Sequence, residues 1–334
     1  MPKGSKLLSK HVLVTGGAGY IGAHVCKVLS GHGFIPVTFD NLSTGWRDAV
    51  KYGPFVRGDL LDRDRLAAAF VKFRPIAVMH FAALSLVGES MTDPGRYWRS
   101  NVTAALNLIE TALAANCKAF VFSSTCATYG DPDGVVLNET TPQHPINAYG
   151  ASKLAIEQML ANFAVSDGLN AVIFRYFNVA GADPDCEVGE QHRPETHLIP
   201  LVLDTVAGRR AALTVFGSDY NTPDGTCVRD YVHVMDLADA HVLGLQRGLS
   251  GKGGVFCLGT GTGFSVREVI AQARNATNRP VPVIEGLRRP GDAARLVSGS
   301  AHAIAELGWA PKHSTLPQMI ADAWRWSNAA GYSE

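Results

Sequence analysis

Tyr149 and Lys153 are the two residues whose types and spacing could do acid–base chemistry. On a helix, residues four apart lie on one face, so the phenol and the ammonium can address the same site. A free tyrosine, with a pKa of about 10, is a poor base at neutral pH. A fixed cation nearby lowers that pKa, which is what a group acting on a sugar hydroxyl needs. The same spacing also fits an exposed pair without function, so the choice between the two interpretations depends on the rest of the sequence.

The first feature of that context is a glycine-rich turn between a strand and a helix. Residues 12–15 predict a short strand, and an apolar helical pattern follows the turn. Gly16 and Gly17 permit a tight turn. Gly19 lets the backbone approach a pyrophosphate, and Gly22 lets helix and strand pack closely. The phosphates would lie at the helix N-terminus, so the turn predicts a dinucleotide site.

Asp40 ends the next predicted strand, residues 35–39. A carboxylate at this place can accept both ribose hydroxyls of an adenosine and repel a 2′-phosphate, which favours NAD. Arg47 nearby leaves NADP open. Without a cofactor, Asp40 would be an ordinary loop cap beside Asn41.

Strands and helices alternate through the first half of the chain, which predicts an α/β fold with a Rossmann-like, doubly wound parallel sheet. The further predicted strands are 55–56, 76–80, 119–123 and 171–175, and the helices are near 62–73 and 101–116. Ligands bind at the carboxyl ends of such strands, so the residues there should converge on one cleft. These residues are Asp59, Phe81, 123–125 and Tyr176.

Beyond Asn178 the pattern changes to helices near 197–208, 235–247 and 265–276 mixed with short strands. We predict a smaller mixed α/β C-terminal lobe that binds the substrate and closes over the cleft. The predicted boundaries are 10–177 for the dinucleotide domain, with 231–260 returning to it through a strand at 255–258. The substrate lobe then comprises 178–230 and 261–330.

Composition excludes several classes of partner. Lys plus Arg and Asp plus Glu both number 30, so no net charge attracts nucleic acid or a membrane surface. No apolar run approaches the ~20 residues of a transmembrane helix, and residues 1–10 lack the apolar region of a signal peptide. The six cysteines form no Cys-x-x-Cys pair, so we expect reduced thiols, no zinc site and no other metal. The expected location is cytoplasmic.

Taken in order, these segments resemble one family. Residues 15–22, 40–41, 87–90, 149–153, 175–178 and 228–234 are together similar to the UDP-glucose 4-epimerase family of the extended short-chain dehydrogenase/reductase superfamily. The resemblance runs from His11 to about Trp326. A single such segment would be generic, but the ordered set is specific.

The resemblance implies a permanently bound NAD, a UDP-sugar substrate, a homodimer and a catalytic trio of Thr125, Tyr149 and Lys153. Tyr149 would remove the proton of the sugar 4-hydroxyl while C4 gives hydride to the nicotinamide. The 4-keto sugar would turn, and hydride would return to its other face. Thr125 would hydrogen-bond the 4-oxygen, and Lys153 would hold the nicotinamide ribose and lower the pKa of Tyr149.

The resemblance also implies residues for the two ligands. For the cofactor they are Gly16, Gly19, Tyr20, Ile21, Gly22, Asp40, Asn41, Asp59, Leu60, Phe81, Ala82, Asn101, Ser123, Tyr149, Lys153 and Tyr176. For the substrate they are Thr125, Asn178, His197, Leu198, Phe216, Arg229, Arg289, Asp292 and Leu296. The two arginines would hold the diphosphate, a task that suits forked guanidinium donors. Leu296, placed through the segment 289–292, would face the C2 side of the sugar.

The sequence departs from the family pattern at two points, and three other functions stay open. The run 123–125 leaves the triad hydroxyl open between Thr125 and Ser124, and Ser85 replaces a lysine common in the family. A 4,6-dehydratase would need acidic residues after Thr125, where Cys126 and Ala127 stand. A UDP-pentose or UDP-uronate 4-epimerase would use the same trio. A non-catalytic dinucleotide-sensing regulator would need neither Tyr149 nor Lys153.

Overall fold

The computed structural model describes residues 10–132, 134–289, 292–329 and 331–333. Its central element is a parallel sheet of seven strands in the order β11-β7-β5-β4-β1-β2-β3. The described strands are β1 (His11–Thr15), β2 (Ile35–Asp40), β3 (Phe55–Arg57), β4 (Ala77–His80), β5 (Ala119–Ser123), β6 (Val136–Leu137), β7 (Asn170–Tyr176), β8 (Asn178–Ala180), β9 (Leu213–Phe216), β10 (Val228–His233), β11 (Gly254–Leu258), β12 (Gly263–Ser265), β13 (Val283–Gly286) and β14 (Arg295–Ser298). The predicted doubly wound parallel sheet is confirmed.

Helices cover both faces of this sheet. The described helices are α1 (Tyr20–Gly31), α2 (Arg63–Phe73), α3 (Val87–Thr92), α4 (Pro94–Tyr97), α5 (Ala104–Ala114), α6 (Ala148–Asp167), α7 (Leu198–Val206), α8 (Val234–Leu249), α9 (Val266–Thr277), α10 (Ala301–Leu307) and α11 (Leu316–Ser327). Side chains of α1 and α8 share one apolar core with the sheet, and those of α2, α5 and α6 share a second core on its other face. This two-sided burial explains why the strands of this sheet are mostly apolar.

A smaller lobe surrounds two further sheets. β10 lies between β12 and β14, pairs also with β8, and β14 pairs with β6; β9 pairs with β13. A separate apolar core joins α7, α9 and α11. None of the helices in the described ranges combines the length and apolar character that crossing a membrane requires. The division into the ranges 10–177 with 231–260, and 178–230 with 261–330, stays a prediction.

A π-helical turn, Trp98–Thr103, precedes α5, where the sequence predicts a regular helix from about 101. Asn101 lies in this turn. Its side-chain amide donates to the carbonyl of Leu84 (3.1 Å) and to the Ser152 hydroxyl (3.0 Å), and its oxygen accepts from the Leu84 amide (2.9 Å). Such turns occur often at functional sites, and this one ties the β4 loop to α6.

A buried ion pair fixes α6 against the sheet. The Arg175 guanidinium, at the end of β7, donates to both carboxylate oxygens of Glu157 on α6, at 3.1, 3.1 and 2.6 Å. Both side chains are buried. Bidentate geometry of this kind restricts orientation as well as distance, so it determines where α6 lies relative to β7.

Glu157→Gln should therefore destabilise the protein by about 3–5 kcal/mol, because it leaves the Arg175 charge buried without its counter-ion. Urea unfolding followed by circular dichroism measures this. Glu110→Gln is the matched control, because the Arg63–Glu110 pair is exposed on both sides and should contribute less than about 1 kcal/mol. Equal effects of the two substitutions would contradict the assignment.

Candidate active site

The glycine turn after β1 has the shape that a phosphate group requires. Gly16 has φ +74°, and a Cβ there would lie 2.5 Å from the Ala82 nitrogen. A Cβ at Gly22 would lie 2.2 Å from the Gly16 carbonyl oxygen. The cap of α1 is Gly19, which has no side chain, and no acidic residue stands in the first turn. The first N–H groups of α1 are therefore open to an anion.

Asp40 is hydrogen-bonded to the backbone of this glycine turn and of its own loop. Its carboxylate accepts from the amides of Ala18 (3.1 Å) and Leu42 (2.8 Å). Burial raises the pKa of Asp40 above its ordinary value, while the two amides act in the opposite direction. Asn41 donates to Asp59 at 2.9 Å, so the ends of β2 and β3 are linked as well.

The other predicted cofactor residues lie around the same strand ends. The amides of Phe81 and Ala82 donate to the Thr15 carbonyl beside Gly16. The Tyr20 hydroxyl, at the start of α1, donates to the Gly181 carbonyl at 2.7 Å. Ile21 packs on the core beneath α1. Leu60 is buried after β3 and accepts from Asn107 of α5 at 3.1 Å.

The second group consists of the predicted catalytic residues. Tyr149 and Lys153 lie on α6, where the Asn147 side chain caps the first turn by accepting from the Gly150 amide at 2.8 Å. Thr125 follows β5, and its hydroxyl is near enough to the Tyr149 phenol to lower the pKa of that phenol against the effect of burial. Thr125 and Tyr149, which are 24 positions apart in sequence, therefore lie near each other. Their catalytic roles stay a prediction.

The electrostatics of this group differ from the prediction. Burial raises the pKa of Tyr149 to about 12, against a lowering by the Thr125 hydrogen bond. Lys153 donates to the Ser123 carbonyl at 2.8 Å, and burial lowers its pKa to about 7, against a raising by Glu157. The expected lowering of the Tyr149 pKa by Lys153 is thus absent from the described structure. The ammonium is itself desolvated and is directed to a carbonyl.

Two hydroxyls at the end of β5 have different partners. The Ser123 hydroxyl hydrogen-bonds the Tyr176 phenol, whose pKa burial raises. The Ser124 hydroxyl donates to the buried Glu157 carboxylate. Ser124 therefore stabilises the Arg175–Glu157 pair and does not face Tyr149 as Thr125 does.

A third group collects most of the predicted substrate residues. Arg289 donates to Asp292 at 2.8 Å, and its guanidinium carbon lies 5.1 Å from the centre of the Phe216 ring. Arg229 lies 3.7 Å from the other Asp292 oxygen. Leu296 stands opposite Arg229 in the parallel β10–β14 pair. The intervening positions 290 and 291 lie outside the described residues.

Cys126 connects the third group with the second. Burial raises its pKa to about 12, and the Arg229 charge acts in the opposite direction. Cys126 and Leu296 also pack against the same apolar cluster. Because Cys126 follows Thr125 and Leu296 pairs with Arg229, the second and third groups approach each other at this cluster.

The remaining predicted substrate residues lie on β8, at the start of α7 and in the loop before α7. Asn178 begins β8 and stands opposite Tyr231 in the parallel β8–β10 pair. Leu198 is the first residue of α7. The imidazole Nδ1 of His197 lies 3.0 Å from both Glu190 and Glu195, so this ring pairs with carboxylates of its own loop. Its predicted place beside a sugar or uracil stays a prediction.

Sequence reasoning missed Glu157, Arg175 and Cys126. Glu157 could have been found from the sequence, because it stands four residues after Lys153 on the same helix face. Arg175 in an otherwise apolar strand also indicates a buried partner. Nothing local marks Cys126 as the link between two groups, because its neighbours come from distant segments.

The fold and the site together define a protein of the short-chain dehydrogenase/reductase class. The NAD dependent epimerase/dehydratase family matches residues 12–259, and the chain belongs to that family. It is 51% identical over 316 residues to the UDP-glucose 4-epimerase of Rhizobium leguminosarum bv. trifolii, covering 94% of this chain and 96% of the relative. It is 48% identical over 319 residues to the UDP-glucose 4-epimerase of Rhizobium meliloti (strain 1021), covering 95% and 97%.

A solved structure agrees with these relatives. The UDP-glucose 4-epimerase from Brucella ovis in complex with NAD superposes with a TM-score of 0.92 and 48% identity, covering 94% of this chain and 97% of that chain. The predicted resemblance and fold class are confirmed.

The geometry around Asp40 predicts that the purified protein carries NAD and not NADP. Denaturing desalted protein and assaying the supernatant for both nucleotides measures this. Asp40→Asn should reduce the NAD content, because the carboxylate charge that suits ribose hydroxyls is lost. Asp62→Asn, which changes the exposed cap of α2, should not. Recovery of mainly NADP, or of no nicotinamide nucleotide, would contradict the role of Asp40.

Proposed function

We propose that the chain is an NAD-dependent isomerase that inverts C4 of UDP-sugars, interconverting UDP-glucose and UDP-galactose through a transient 4-keto sugar. The observation that carries this proposal is that Cys126, which follows Thr125, and Leu296, which pairs with Arg229, pack against the same apolar cluster. The relatives named above, all UDP-glucose 4-epimerases, support the same reaction.

The residues around the glycine turn fit the cofactor. The open N–H groups of α1 suit its pyrophosphate, and Asp40 suits the adenosine ribose. When bound, NAD supplies reversible hydride transfer, and its oxidised ring brings a positive charge that favours a Tyr149 phenolate. We place it in the range 10–177 with 231–260.

Tyr149 is the acid–base group of the proposal. It takes the proton of the sugar 4-hydroxyl and returns it after the keto sugar has turned. Thr125 hydrogen-bonds the 4-oxygen; we choose it over Ser124, because the Ser124 hydroxyl is bonded to Glu157. The buried Lys153 holds the nicotinamide ribose from its place beside the Ser123 carbonyl.

The nucleotide end of the substrate lies in the lobe formed by 178–230 and 261–330. Arg229 and Arg289 bind the diphosphate as forked cations. Asp292 binds the uridine ribose, and Phe216 contacts the uracil. Leu198 and Asn178 lie beside the sugar or the uracil. The chain assembles as a homodimer in the cytoplasm, an assembly that light scattering after size-exclusion chromatography tests.

Conversion of UDP-galactose to UDP-glucose, separated chromatographically, is the direct test of the function. Turnover without added cofactor is expected, because the cofactor is regenerated in every cycle. UDP-xylose and UDP-galacturonate run in parallel distinguish a pentose or uronate epimerase. Absence of turnover on every UDP-sugar, with NAD still bound, would overturn the proposal in favour of a sensing protein.

Tyr149→Phe should keep the fold and the bound NAD but lower turnover by about 10²–10⁴-fold, because a positioned acid–base group is removed. Initial rates with UDP-galactose measure the loss, and circular dichroism measures the fold. Tyr52→Phe is the matched control, because it deletes a phenol that contacts the exposed Glu187. A near-normal rate for Tyr149→Phe is incompatible with the proposed mechanism.

Leu296 is proposed as the wall that excludes an N-acetyl group at C2 of the sugar. It is half-buried, and its strand neighbour Val297 is fully buried. Leu296→Ser should therefore raise kcat/KM for UDP-N-acetylglucosamine relative to UDP-glucose by about 10-fold or more, since relief of bulk can account for ~1–3 kcal/mol.

Val297→Thr is the control for that substitution, because successive strand side chains point to opposite faces. It should leave the ratio of the two kcat/KM values unchanged. A wild-type enzyme that already turns over both sugars equally would show that Leu296 does not determine specificity.

A further inference from the structure

The loop between β8 and α7 brings together two histidines and two glutamates outside the catalytic groups. Nδ1 of His192 lies 3.3 Å from Glu190 and 3.4 Å from Glu195. Nδ1 of His197 lies 3.0 Å from each of the same carboxylates. One ligand atom from each of the four side chains lies within 4.8 Å of all the others. We call these four residues the loop cluster.

These distances match a tetrahedral metal site. Zinc binds imidazole nitrogen and carboxylate oxygen at about 2.0–2.2 Å, which separates neighbouring donors in a tetrahedron by roughly 3.3–3.6 Å. The measured nitrogen–oxygen distances of 3.0–3.4 Å are close to that separation. To bind an ion, the ligands would have to move only slightly relative to their common centre.

One donor of the loop cluster has no other use. Nδ1 of His192 is buried and, within the described residues, makes no hydrogen bond, although two carboxylates lie close to it. The Glu190 side chain is only 7% exposed, and the atoms that approach its carboxylate are the two imidazole nitrogens. A buried nitrogen without a hydrogen bond is costly, and a metal ion would satisfy it.

The backbone holds the loop cluster in place from two sides. The indole N–H of Trp326 donates to the Glu190 carbonyl at 2.9 Å, and that of Trp46 donates to the Gln191 carbonyl at 2.7 Å. Glu195 accepts from the backbone amide of His197 at 2.8 Å. The two tryptophans thus position the backbone of the loop cluster from outside it, and the Glu195–His197 contact adds a restraint within it.

We propose that Glu190, His192, Glu195 and His197 bind one divalent transition-metal ion of the zinc type. Two imidazoles favour Zn²⁺ over Mg²⁺ and Ca²⁺, which prefer all-oxygen sites. Four protein ligands leave no open position, so the ion has a structural role. His192 packs edge-on to Tyr20 at the glycine turn, and His197 caps α7. The ion therefore joins the cofactor turn to the substrate lobe.

The competing account is a network of ion pairs without metal. Burial lowers the pKa of His192, but Glu190 and Glu195 outweigh it and raise that pKa to about 9. A protonated pair of imidazoles would also satisfy the carboxylates. The two accounts differ in whether the cluster takes up Zn²⁺, which metal analysis decides independently of epimerase activity.

Tag-free protein stripped with a chelator and titrated with Zn²⁺ against a chromophoric chelator tests the proposal. About one Zn²⁺ should bind per chain, and it should raise the unfolding temperature. The double variant His192→Asn with His197→Asn should lose both effects. The control double variant His32→Asn with His144→Asn, which changes two exposed histidines, should keep them.

Two further measurements protect the test against a misfolded variant. Glu190→Gln is a conservative change that should weaken Zn²⁺ binding at least 10-fold, since the anionic ligand is lost. Wild-type protein loaded with Co²⁺ should show a tetrahedral visible spectrum without a thiolate charge-transfer band. No Zn²⁺ uptake by wild type, undiminished uptake by the double variant, or a thiolate band would each overturn the proposal.

Discussion

The Glu157 carboxylate is the point on which both halves of the proposed catalytic trio depend. It accepts from Arg175 at the end of β7 and from Ser124 after β5, and it stands on α6, which carries Tyr149 and Lys153. Thr125 follows Ser124 directly, so one buried anion sets the positions of the triad hydroxyl and of the triad helix together. Truncating one partner of such a pair leaves an unpaired buried charge, so the loss of either Glu157 or Arg175 is costly.

Burial dominates the electrostatics of the trio. The same desolvation raises the pKa of Tyr149 to about 12 and lowers that of Lys153 to about 7, so burial disfavours the charged form of each group. A neutral phenol is a proton donor, and it becomes an acceptor only where positive charge enters the site. The raised pKa of Tyr149 thus disfavours the phenolate, and the positive charge of an oxidised cofactor would favour it. Under the proposed function, this couples proton removal to the cofactor state that can accept hydride.

Local patterns predicted the parts of the structure that local physics determines. The strand–glycine–helix turn at 12–22, the carboxylate at Asp40 and the alternation of β1 to β7 follow from periodicity and turn chemistry. The meeting of Thr125 with Tyr149 followed from the rule that strand ends converge. The pKa values did not follow, because burial depends on the whole fold. Nor did the partner of His197, because its pairing with Glu190 depends on how the loop folds back on itself.

The two ends of the cleft differ in how firmly their side chains are held. Lys153 and Thr125 are buried, and Lys153 donates to the Ser123 carbonyl at the end of β5. At the nucleotide end, Arg289 is 55% exposed and is neutralised by Asp292, while Arg229 is 14% exposed. A diphosphate entering there must compete with Asp292 for the Arg289 guanidinium, and an exposed pair gives way at little cost. Under the proposed function, Arg289 is therefore the arginine that can reorganise on binding the diphosphate, whereas Arg229, held in β10 beside Leu296, is the more fixed of the two charges.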